Sequence, residues 1–404
     1  MRKINLGIIG FGNVGAGVIK ILREKKSLLS EKIGIEINVK KVCDKDIISK
    51  RNVSVDKALL TRNPKDILDD PQIDIVVELV GGINPAKEFI TSALNKGKHV
   101  VTANKALLAQ DGQELLSLAD DRGKNIYFEA SVGAGIPIIK SVREGLVANN
   151  FKSVYGIVNG TSNFILSRMS ENNCTFNQAL KEAQEKGFAE KDPTLDIEGI
   201  DSCHKLVLLT YLCFGRFIKI SDVFVEGISK ISTADVCYAN EIGLQIKLLA
   251  IAKKEGNDLE VRVHPTLIPK SSLLASVSGV FNAIYVDSDL AGDLLFYGPG
   301  SGQLIVQDKT IRNLRSTDDF ESRYYIRFMA LDKPGVLAKI SGVLAKFGIS
   351  IASVTQKEHR KAHVVPIVMI IHQAKEKNLR LALAAISRLD VIKEAAVAIR
   401  MEEI

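Results

Sequence analysis

The chain has 404 residues, of which 25% are charged and 46% are hydrophobic, and its formal net charge at pH 7 is +7. This length predicts roughly two or three domains, and the composition is that of a folded protein rather than an extended disordered chain. The charge is spread along the chain without blocks of basic and aromatic residues, so we expect no nucleic-acid partner.

The cysteines and the N-terminus both predict a protein of the reducing cytoplasm. The five cysteines are odd in number and scattered, which indicates neither a disulfide framework nor a zinc knuckle. The apolar run at 4–9 is too short for a signal peptide or a membrane span. We therefore expect a cytoplasmic location and no membrane partner.

Short apolar runs alternate with helical patterns in the first part of the chain. This alternation predicts an α/β fold with crossover units and a parallel sheet. A Rossmann-type dinucleotide-binding domain is therefore expected over residues 1–130. Its strands are predicted at 4–9, 35–42, 73–80, 99–102 and 125–128, and its helices at 14–22, 85–94 and 106–119.

The middle of the chain mixes strand and helix patterns. Residues 131–137 are rich in glycine and small side chains, as expected of a hinge or of backbone that approaches a ligand. These patterns predict an α+β substrate and dimerisation domain over residues 131–299. Its clearest strands are expected at 154–158 and 259–266, and its long helices at 203–212 and 233–254.

The last part of the chain starts a separate pattern. Residues 300–318 are expected to complete the first domain, with a helix at 305–314, before a polar linker at 316–321. A βαββαβ order follows, which predicts a ferredoxin-like domain over residues 322–404. Its elements are expected at 324–330, 336–347, 350–355, 364–371, 377–388 and 391–400.

A glycine motif directly follows the first predicted strand and opens a helix. Glycines in this place permit a tight turn and bring a pyrophosphate close to the helix N-terminus, so they predict a dinucleotide site. The motif consists of Gly10, Phe11, Gly12, Asn13, Val14 and Gly15. After the second strand, Asp44 suits the ribose hydroxyls of NAD, whereas Lys45, Lys50 and Arg51 suit the 2′-phosphate of NADP, so both cofactors remain open.

A second group of charged residues lies beyond the glycine motif. Lys105 follows a strand at the edge where ligands sit in parallel sheets, and Asp201 and Lys205 share one face of a helix. A solvated lysine and a surface ion pair are the alternatives. The helix after Lys205 is apolar, however, so these charges are expected to face a site.

Several long motifs together resemble the homoserine dehydrogenase family, in order over residues 4–302. They are the first glycine motif, Glu78–Gly82, Thr102–Lys105, Glu129–Pro137, Asn159–Asn163 and the acidic loop 189–201 that leads to Lys205. The resemblance implies interconversion of L-homoserine and L-aspartate 4-semialdehyde with NAD or NADP. The residue patterns on their own leave open another dehydrogenase on this scaffold, with Cys203 near the site, or an inactive nucleotide- and amino-acid-binding sensor.

The resemblance also implies roles for individual residues. Lys205 is the acid/base, and Lys105 lies close to substrate and nicotinamide; two neighbouring ammonium groups lower one another's pKa, which favours a neutral lysine. The residues implied to bind substrate are Glu190, Asp201, Asp196, Gly160, Thr161 and Gly187. Further cofactor residues are Gly81, Gly82, Lys105, Gly300 and Gly302.

The family's loop at 129–136 binds a monovalent cation such as sodium. The implied ligands are Glu129 and the carbonyl groups of Val132, Ala134 and Ile136, and oxygen ligands suit a hard cation. An unoccupied hinge loop is the alternative.

The chain departs from the family pattern in two places. Residues 269–273 lack the frequent family histidine, with Ser272 in that segment, and residues 303–307 replace a run of small residues. Neither departure changes Lys105 or Lys205. His359 and His363 are expected in a solvated turn rather than in a metal site, and His204 points away from Lys205 on the helix.

The segment 331–338 resembles the strand-to-helix turn of an ACT domain, which binds amino acids. L-Threonine is the expected effector, and a purely structural role in a homo-oligomer is the alternative. The family implies a homodimer or a homotetramer.

Overall fold

A computed structural model describes residues 2–300, 321–356 and 364–401. The chain divides into two compact units, Met1–Ile305 and Val306–Ile404. Several predictions fall outside the described residues, namely the helix at 305–314, the completion of the first domain by 300–318, Gly302, His359 and His363.

The first unit begins with a six-stranded parallel sheet, in the order β3-β2-β1-β4-β5-β6. The strand order reverses beside β1, and this switch point is where open parallel sheets bind their ligands. The Rossmann-type fold predicted for this region is therefore confirmed. The strands are β1 (Arg2–Ile9), β2 (Ile35–Cys43), β3 (Leu60–Thr61), β4 (Ile75–Glu78), β5 (His99–Thr102) and β6 (Ile126–Tyr127).

Amphipathic helices cover this sheet. The spacing of buried residues in α4, at Ala86, Ile90, Ala93 and Leu94, places one apolar stripe against the strands. The helices are α1 (Asn13–Glu24), α2 (Lys26–Ile33), α3 (Lys65–Leu68), α4 (Ala86–Asn95) and α5 (Lys105–Asp121).

A second six-stranded sheet follows in the same unit, in the order β12-β11-β7-β9-β10-β8. All its pairs are antiparallel except that of β8 with β10. The strands are β7 (Phe151–Ile157), β8 (Phe224–Val225), β9 (Leu244–Glu255), β10 (Asp258–Pro269), β11 (Phe281–Ser288) and β12 (Gly292–Pro299). The hairpin of β11 and β12 was not predicted.

The helices of this region pack on one face of the second sheet. Helix α10 is buried along residues 206–210, so its first two turns, which carry Asp201 and Lys205, are held firmly. The helices are α6 (Ile138–Lys140), α7 (Gly160–Asn172), α8 (Phe176–Glu185), α9 (Thr194–Ile197), α10 (Ile200–Phe214) and α11 (Thr233–Glu241). A π-helical turn lies at Ser141–Gly145, and short 3₁₀ turns lie at Lys57–Leu59, Glu129–Ser131 and Ile220–Asp222.

The long helix predicted at 233–254 is wrong. Helix α11 ends at Glu241, Gly243 takes a left-handed conformation with φ 77°, and β9 follows. Residues 246–252 are buried without interruption because β9 pairs with β7 and β10 and is covered on both faces. A continuous apolar run of this kind has no period that separates a strand from a buried helix.

The second unit is a four-stranded antiparallel sheet with two helices, in the order β14-β15-β13-β16. The predicted βαββαβ order is confirmed, although the last strand begins later than expected, because residue Ile392 forms only an isolated bridge with Ala330. The elements are β13 (Glu321–Leu331), α12 (Val336–Lys346), β14 (Ile351–Gln356), β15 (Val364–Lys375), α13 (Glu376–Ile386) and β16 (Val397–Met401).

Within the described ranges, every helix is too short or too polar to cross a membrane.

Candidate active site

The first glycine motif forms a tight turn at the switch point of the parallel sheet. Gly10 has φ 106°, and a Cβ there would lie 2.6 Å from the carbonyl of Leu79, while a Cβ at Gly15 would lie 2.1 Å from the Gly10 oxygen. By contrast, a Cβ at Gly12 would meet nothing within 4 Å. Gly10 and Gly15 therefore close the turn, and Gly12 leaves open space in front of the N-terminus of α1. This open cradle fits the pyrophosphate of a dinucleotide.

Charged residues of both signs lie beside this turn. Asp44 accepts hydrogen bonds from the backbone N–H groups of Phe11, at 2.5 Å, and Asp46, at 2.8 Å. The Arg51 guanidinium donates to the Phe11 carbonyl at 2.8 Å and lies 3.4 Å from the carboxylate of Asp46. Lys45 is exposed. The end of β2 thus offers both a carboxylate and a guanidinium to the adenosine end of a cofactor.

A buried hydrogen-bond network positions Lys105. Glu78 is fully buried and accepts from the Thr102 hydroxyl at 2.8 Å. Asn104 donates to the Gly82 carbonyl at 2.6 Å and caps α5 by accepting from the N–H of Leu107 at 3.2 Å. Lys105 is the first residue of α5, so this cap sets its direction. The sequence motifs contained Glu78 and Asn104 but gave no indication of their contacts.

One carboxylate joins the two lysines that the sequence predicted. Asp201 lies 2.7 Å from the ammonium of Lys205 through Oδ2 and 3.0 Å from the ammonium of Lys105 through Oδ1. Lys205 also donates to the carbonyl of Val158 at 2.5 Å. The Lys105 side chain is 40% exposed, whereas that of Lys205 is only 12% exposed. Lys105 therefore faces solvent and Lys205 faces the interior.

Burial and charge set the ionisation of this cluster. Burial raises the pKa of Asp201, but the nearby Lys205 and Lys105 outweigh it and hold the pKa at about 2. Burial lowers the pKa of Lys205, Asp201 partly offsets that effect, and Lys105 lowers it further. Asp201 is therefore a permanent anion, and Lys205 loses its proton more readily than an exposed lysine. Burial lowers the pKa of Lys205 more than the repulsion from Lys105 does, although the sequence analysis had considered only the repulsion.

Asn159 connects the two acidic residues of this region. Its amide donates to Asp201 at 2.9 Å and to Asp196 at 2.7 Å, while its oxygen caps α7 by accepting from the N–H of Ser162 at 2.8 Å. Asp196 touches neither lysine in the part of the chain that the structure describes. Asp196 thus acts on the cluster through Asn159 and, more weakly, through its negative charge, which raises the pKa of Lys205.

The first turn of α7 lies beside the cluster because Asn159 is its cap. A Cβ at Gly160 would lie 2.8 Å from the carbonyl of Val280, and Thr161 donates to the carbonyl of Phe188 at 2.7 Å. Both predicted substrate residues therefore lie at a helix N-terminus, where backbone N–H groups favour an anion.

Glu190 stands apart from the cluster. It is exposed, and its carboxylate makes no hydrogen bond or ion pair with any described residue. Its backbone is held by the Gln184 amide at 3.2 Å, and Gly187 makes the preceding turn with φ 72°. The structure leaves this carboxylate available to a ligand.

The predicted cation loop has two groups of oxygen atoms. The Glu129 carboxylate accepts from the N–H groups of Ile139 and Lys140 at 2.8 and 2.9 Å, so it caps α6. The Ile136 carbonyl accepts from the N–H of Ile138 at 2.8 Å. The carbonyls of Val132 and Ala134 accept no hydrogen bond from the described residues, which fits cation ligands. In the described ranges no group of three or more His, Cys, Asp or Glu could hold a metal ion.

Three positions from the sequence analysis remain, namely His204, Ser272 and Gly300. Burial lowers the pKa of His204, Asp201 raises it and Lys105 lowers it, so the imidazole lies within the field of the cluster. Ser272 lies in a turn in which its N–H donates to the carbonyl of Pro269 at 2.9 Å. Gly300 packs directly on the buried amide of Asn282, from which a Cβ would lie 2.3 Å away.

Comparisons with known sequences cover the whole chain. The model described as homoserine dehydrogenase matches residues 137–307, the model of the homoserine dehydrogenase NAD binding domain matches 10–129, and an ACT domain model matches 324–391. Homoserine dehydrogenase of Neisseria gonorrhoeae is 41% identical over 434 residues, covering 100% of both chains. That of Bacillus subtilis is 37% identical, covering 100% of this chain and 99% of the relative.

Solved structures agree with this result. A homoserine dehydrogenase from Thiobacillus denitrificans is 41% identical and superposes with a TM-score of 0.70, covering 100% of this chain and 99% of that one. The S. aureus enzyme at pH 7.5 is 32% identical, with a TM-score of 0.66 and coverage of 94% and 96%. A hyperthermophilic archaeal mutant in complex with NADPH is 29% identical, with a TM-score of 0.63 and coverage of 75% and 93%. The chain therefore belongs to the homoserine dehydrogenase family and carries a C-terminal ACT domain.

Proposed function

We propose that the chain interconverts L-homoserine and L-aspartate 4-semialdehyde with Lys205 as the acid/base. The observation that carries this proposal is the cluster of Lys105, Asp201 and Lys205, in which one buried carboxylate lies within 3.0 Å of both ammonium groups. Oxidation of a primary alcohol requires removal of the hydroxyl proton as hydride leaves the carbon. NAD(P), when bound, supplies the hydride acceptor.

Lys205 suits the proton transfer because burial lowers its pKa. In the oxidation direction, the neutral amine accepts the hydroxyl proton of homoserine; in the reverse direction, the ammonium returns it to the carbonyl oxygen. Lys105, on the solvent side of Asp201, stabilises negative charge that develops on that oxygen. Asp201 holds both nitrogens in place, and it keeps its charge at any working pH.

The substrate's own charges find complementary groups around this cluster. The α-ammonium would be bound by Asp201 and by the carboxylate of Glu190, which pairs with none of the described residues and follows the turn at Gly187. Asp196 supports them through Asn159. The α-carboxylate is bound at the N-terminal turn of α7, by Gly160 and Thr161.

The cofactor is placed along the switch point of the first sheet. The open space at Gly12 would hold the pyrophosphate, and Gly81, Gly82, Lys105 and Gly300 would hold the nicotinamide end. Asp44 and Arg51 lie beside the glycine turn and would hold the adenosine ribose, so we propose that the chain accepts NAD and NADP. The carboxylate favours NAD, and the guanidinium offers charge to a 2′-phosphate.

Sodium is the proposed occupant of the loop at 129–136. The free carbonyls of Val132 and Ala134 are the best candidate ligands. The remaining lone pairs of the Glu129 carboxylate and the Ile136 carbonyl complete the set. The ion's role there is structural, because this loop joins the two sheets of the first unit.

The ACT domain is proposed to bind L-threonine at the turn 331–338. A regulatory effect requires that threonine bind one conformation of the enzyme better than another. An inactive sensor is the second candidate, and the intact cluster of Lys105, Asp201 and Lys205 argues against it.

A homodimer is proposed through the face of the second sheet that the helices do not cover. The rings of Tyr155 and Tyr285 lie 5.9 Å apart on this face, and those of Phe281 and Tyr297 stack at 5.1 Å. All four side chains are partly or largely exposed in the single chain. Aromatic residues grouped in this way are typical of the centre of a protein interface.

The test of this function is nicotinamide absorbance with L-homoserine and either NAD or NADP, with and without L-threonine. Homoserine-dependent reduction that threonine slows is the expected result. Binding of a nucleotide and of threonine without any reduction would support the inactive sensor instead. A Lys205→Met variant separates the chemistry from binding, because it keeps the stem of the side chain and loses the amine.

A further inference from the structure

A second buried lysine lies away from the catalytic cluster. Lys247, on β9, has no exposed surface. Its ammonium donates to the carbonyl of Val277 and lies 3.3 Å from the side-chain oxygen of Asn163. No carboxylate of the described residues forms an ion pair with it. Burial of an ammonium group without a counter-ion is costly, so its retention calls for a specific role.

The partner of this lysine holds a loop. The amide of Asn163 donates to three carbonyl groups of the segment 277–281, those of Val277, Gly279 and Phe281, at 3.2, 3.0 and 3.2 Å. On the other side, the N–H of Gly279 donates to the hydroxyl of Ser167 at 3.2 Å. The 277–281 loop is therefore tied to α7 by side chains from its first two turns, and Lys247 closes the network.

The 277–281 loop reaches the proposed substrate site. The carbonyl of Val280 lies so close to Gly160 that a Cβ there would be only 2.8 Å away. Gly160 follows the cap residue Asn159, whose amide contacts Asp201 at 2.9 Å. The loop and the catalytic carboxylate thus contact neighbouring residues at the start of α7.

We propose that Lys247 is a positioning residue, which fixes the 277–281 loop against the first turn of α7 and so shapes the site for the substrate carboxylate. This inference rests on the proposed function, because it takes homoserine as the ligand of that turn.

An ammonium group suits this task better than a neutral side chain. The ammonium donates to the Val277 carbonyl and to the Asn163 amide oxygen, and the Asn163 amide in turn donates to the three loop carbonyls. A charged donor makes stronger hydrogen bonds to these oxygens than a neutral one. Burial lowers the pKa of Lys247 to about 8, and the only charge that offsets this effect is that of Glu171. The group is therefore still charged at neutral pH.

The first test is Lys247→Met, with Lys98→Met as the matched control. Lys98 is also buried, and its ammonium also binds two backbone carbonyls, those of Asp70 and Ile73. Lys98 lies just before β5, at the amino-terminal end of the parallel strands, whereas Lys105 follows the carboxyl end of the same strand. We expect Lys247→Met to raise the KM for homoserine about tenfold, as the loss of one hydrogen bond to a charged group implies, with kcat and the KM for the cofactor nearly unchanged. Lys98→Met should change none of these constants.

A substrate analogue separates positioning from general loosening of the structure. 3-Aminopropan-1-ol lacks the carboxylate of homoserine, so its inhibition constant should be the same for the wild type and Lys247→Met. The proposal would be overturned if Lys247→Met weakened binding of the analogue as much as binding of homoserine. It would also be overturned if the KM for the cofactor rose as much as the KM for homoserine. If Lys247→Met does not fold, Ser167→Ala loosens the same loop and should raise the KM for homoserine in the same direction.

The wild type distinguishes a failure of this inference from a failure of the proposed function. Absence of homoserine turnover in the wild type contradicts the proposed function. Normal turnover in the wild type together with an unchanged homoserine KM in Lys247→Met contradicts the positioning role alone.

Discussion

Asp201→Asn tests the electrostatic design of the active site most directly. The substitution removes one negative charge but keeps the shape of the side chain and its oxygen, which contacts Asn159 and Lys205 at 2.9 and 2.7 Å. Two charges about 4 Å apart interact by about 4 kcal/mol at an effective dielectric constant of about 20.

The expected effect is a lower pKa for Lys205, because the carboxylate that favours its charged form is lost while the burial that disfavours this form remains. A neutral Lys205 is the form that accepts the hydroxyl proton. The rising limb of kcat against pH in homoserine oxidation should therefore move to lower pH, while the maximum rate falls because the base is weaker.

The assay is nicotinamide absorbance at saturating cofactor over a range of pH, for the wild type, Asp201→Asn and Asp196→Asn. Asp196 contacts the same Asn159 amide at 2.7 Å but neither lysine, so Asp196→Asn should shift the rising limb of the pH profile far less. The reasoning is refuted if Asp201→Asn loses activity while the limb stays in place, because Asp201 would then act on the substrate alone.

Three further predictions concern the acid/base, the cofactor turn and the buried lysine. Lys205→Met should lower kcat by about 10² to 10⁴ while cofactor binding, followed by nicotinamide fluorescence, is retained; turnover within twofold of the wild type would exclude this residue as the base. Gly12→Val should weaken cofactor binding without changing the thermal unfolding midpoint, because the new side chain enters the open space of the cradle. Gly10→Ala should weaken cofactor binding and also lower the midpoint, because the new Cβ would contact the Leu79 backbone. Lys247 has a pKa of about 8 in the folded state and about 10.4 when unfolded, so the unfolded state binds more protons between these values and the free energy of unfolding rises with pH in that window. Urea unfolding should show this gain, of the order of 3 kcal/mol, in the wild type relative to Lys247→Met; parallel pH dependences of the two proteins would contradict the assigned ionisation.

The fold was predictable where the sequence contains a clear period or a clear break. The first sheet has short apolar strands separated by polar turns, and five of its six strands were predicted on that basis; the two-residue strand β3 was not. Helix α7 was missed because residues 161–167 are buried on every side, so no amphipathic stripe marks it. Strand β9 was mistaken for a helix for the same reason.

The active-site residues were only partly predictable from the sequence. The spacing of Asp201 and Lys205 placed them on one helix face, and the structure shows that ion pair. The contact of Lys105 with Asp201 joins residues that are distant in the chain, so no local pattern contains it. The double contact of Asn159 was also hidden, because helix caps and active-site amides use the same residue type.

The burial of α10 determines which part of the site can move. Lys205 and Asp201 start a helix whose next turns, at 206–210, are locked into the interior. Lys105 starts a different helix, on the first sheet, and meets them through a single exposed ion pair. We therefore expect Asp201 and Lys205 to stay in place and the Lys105 side chain to move away from them. Opening of the site for exchange of ligands then requires the ion pair between Lys105 and Asp201 to break, while the ion pair between Asp201 and Lys205 is kept from one turnover to the next.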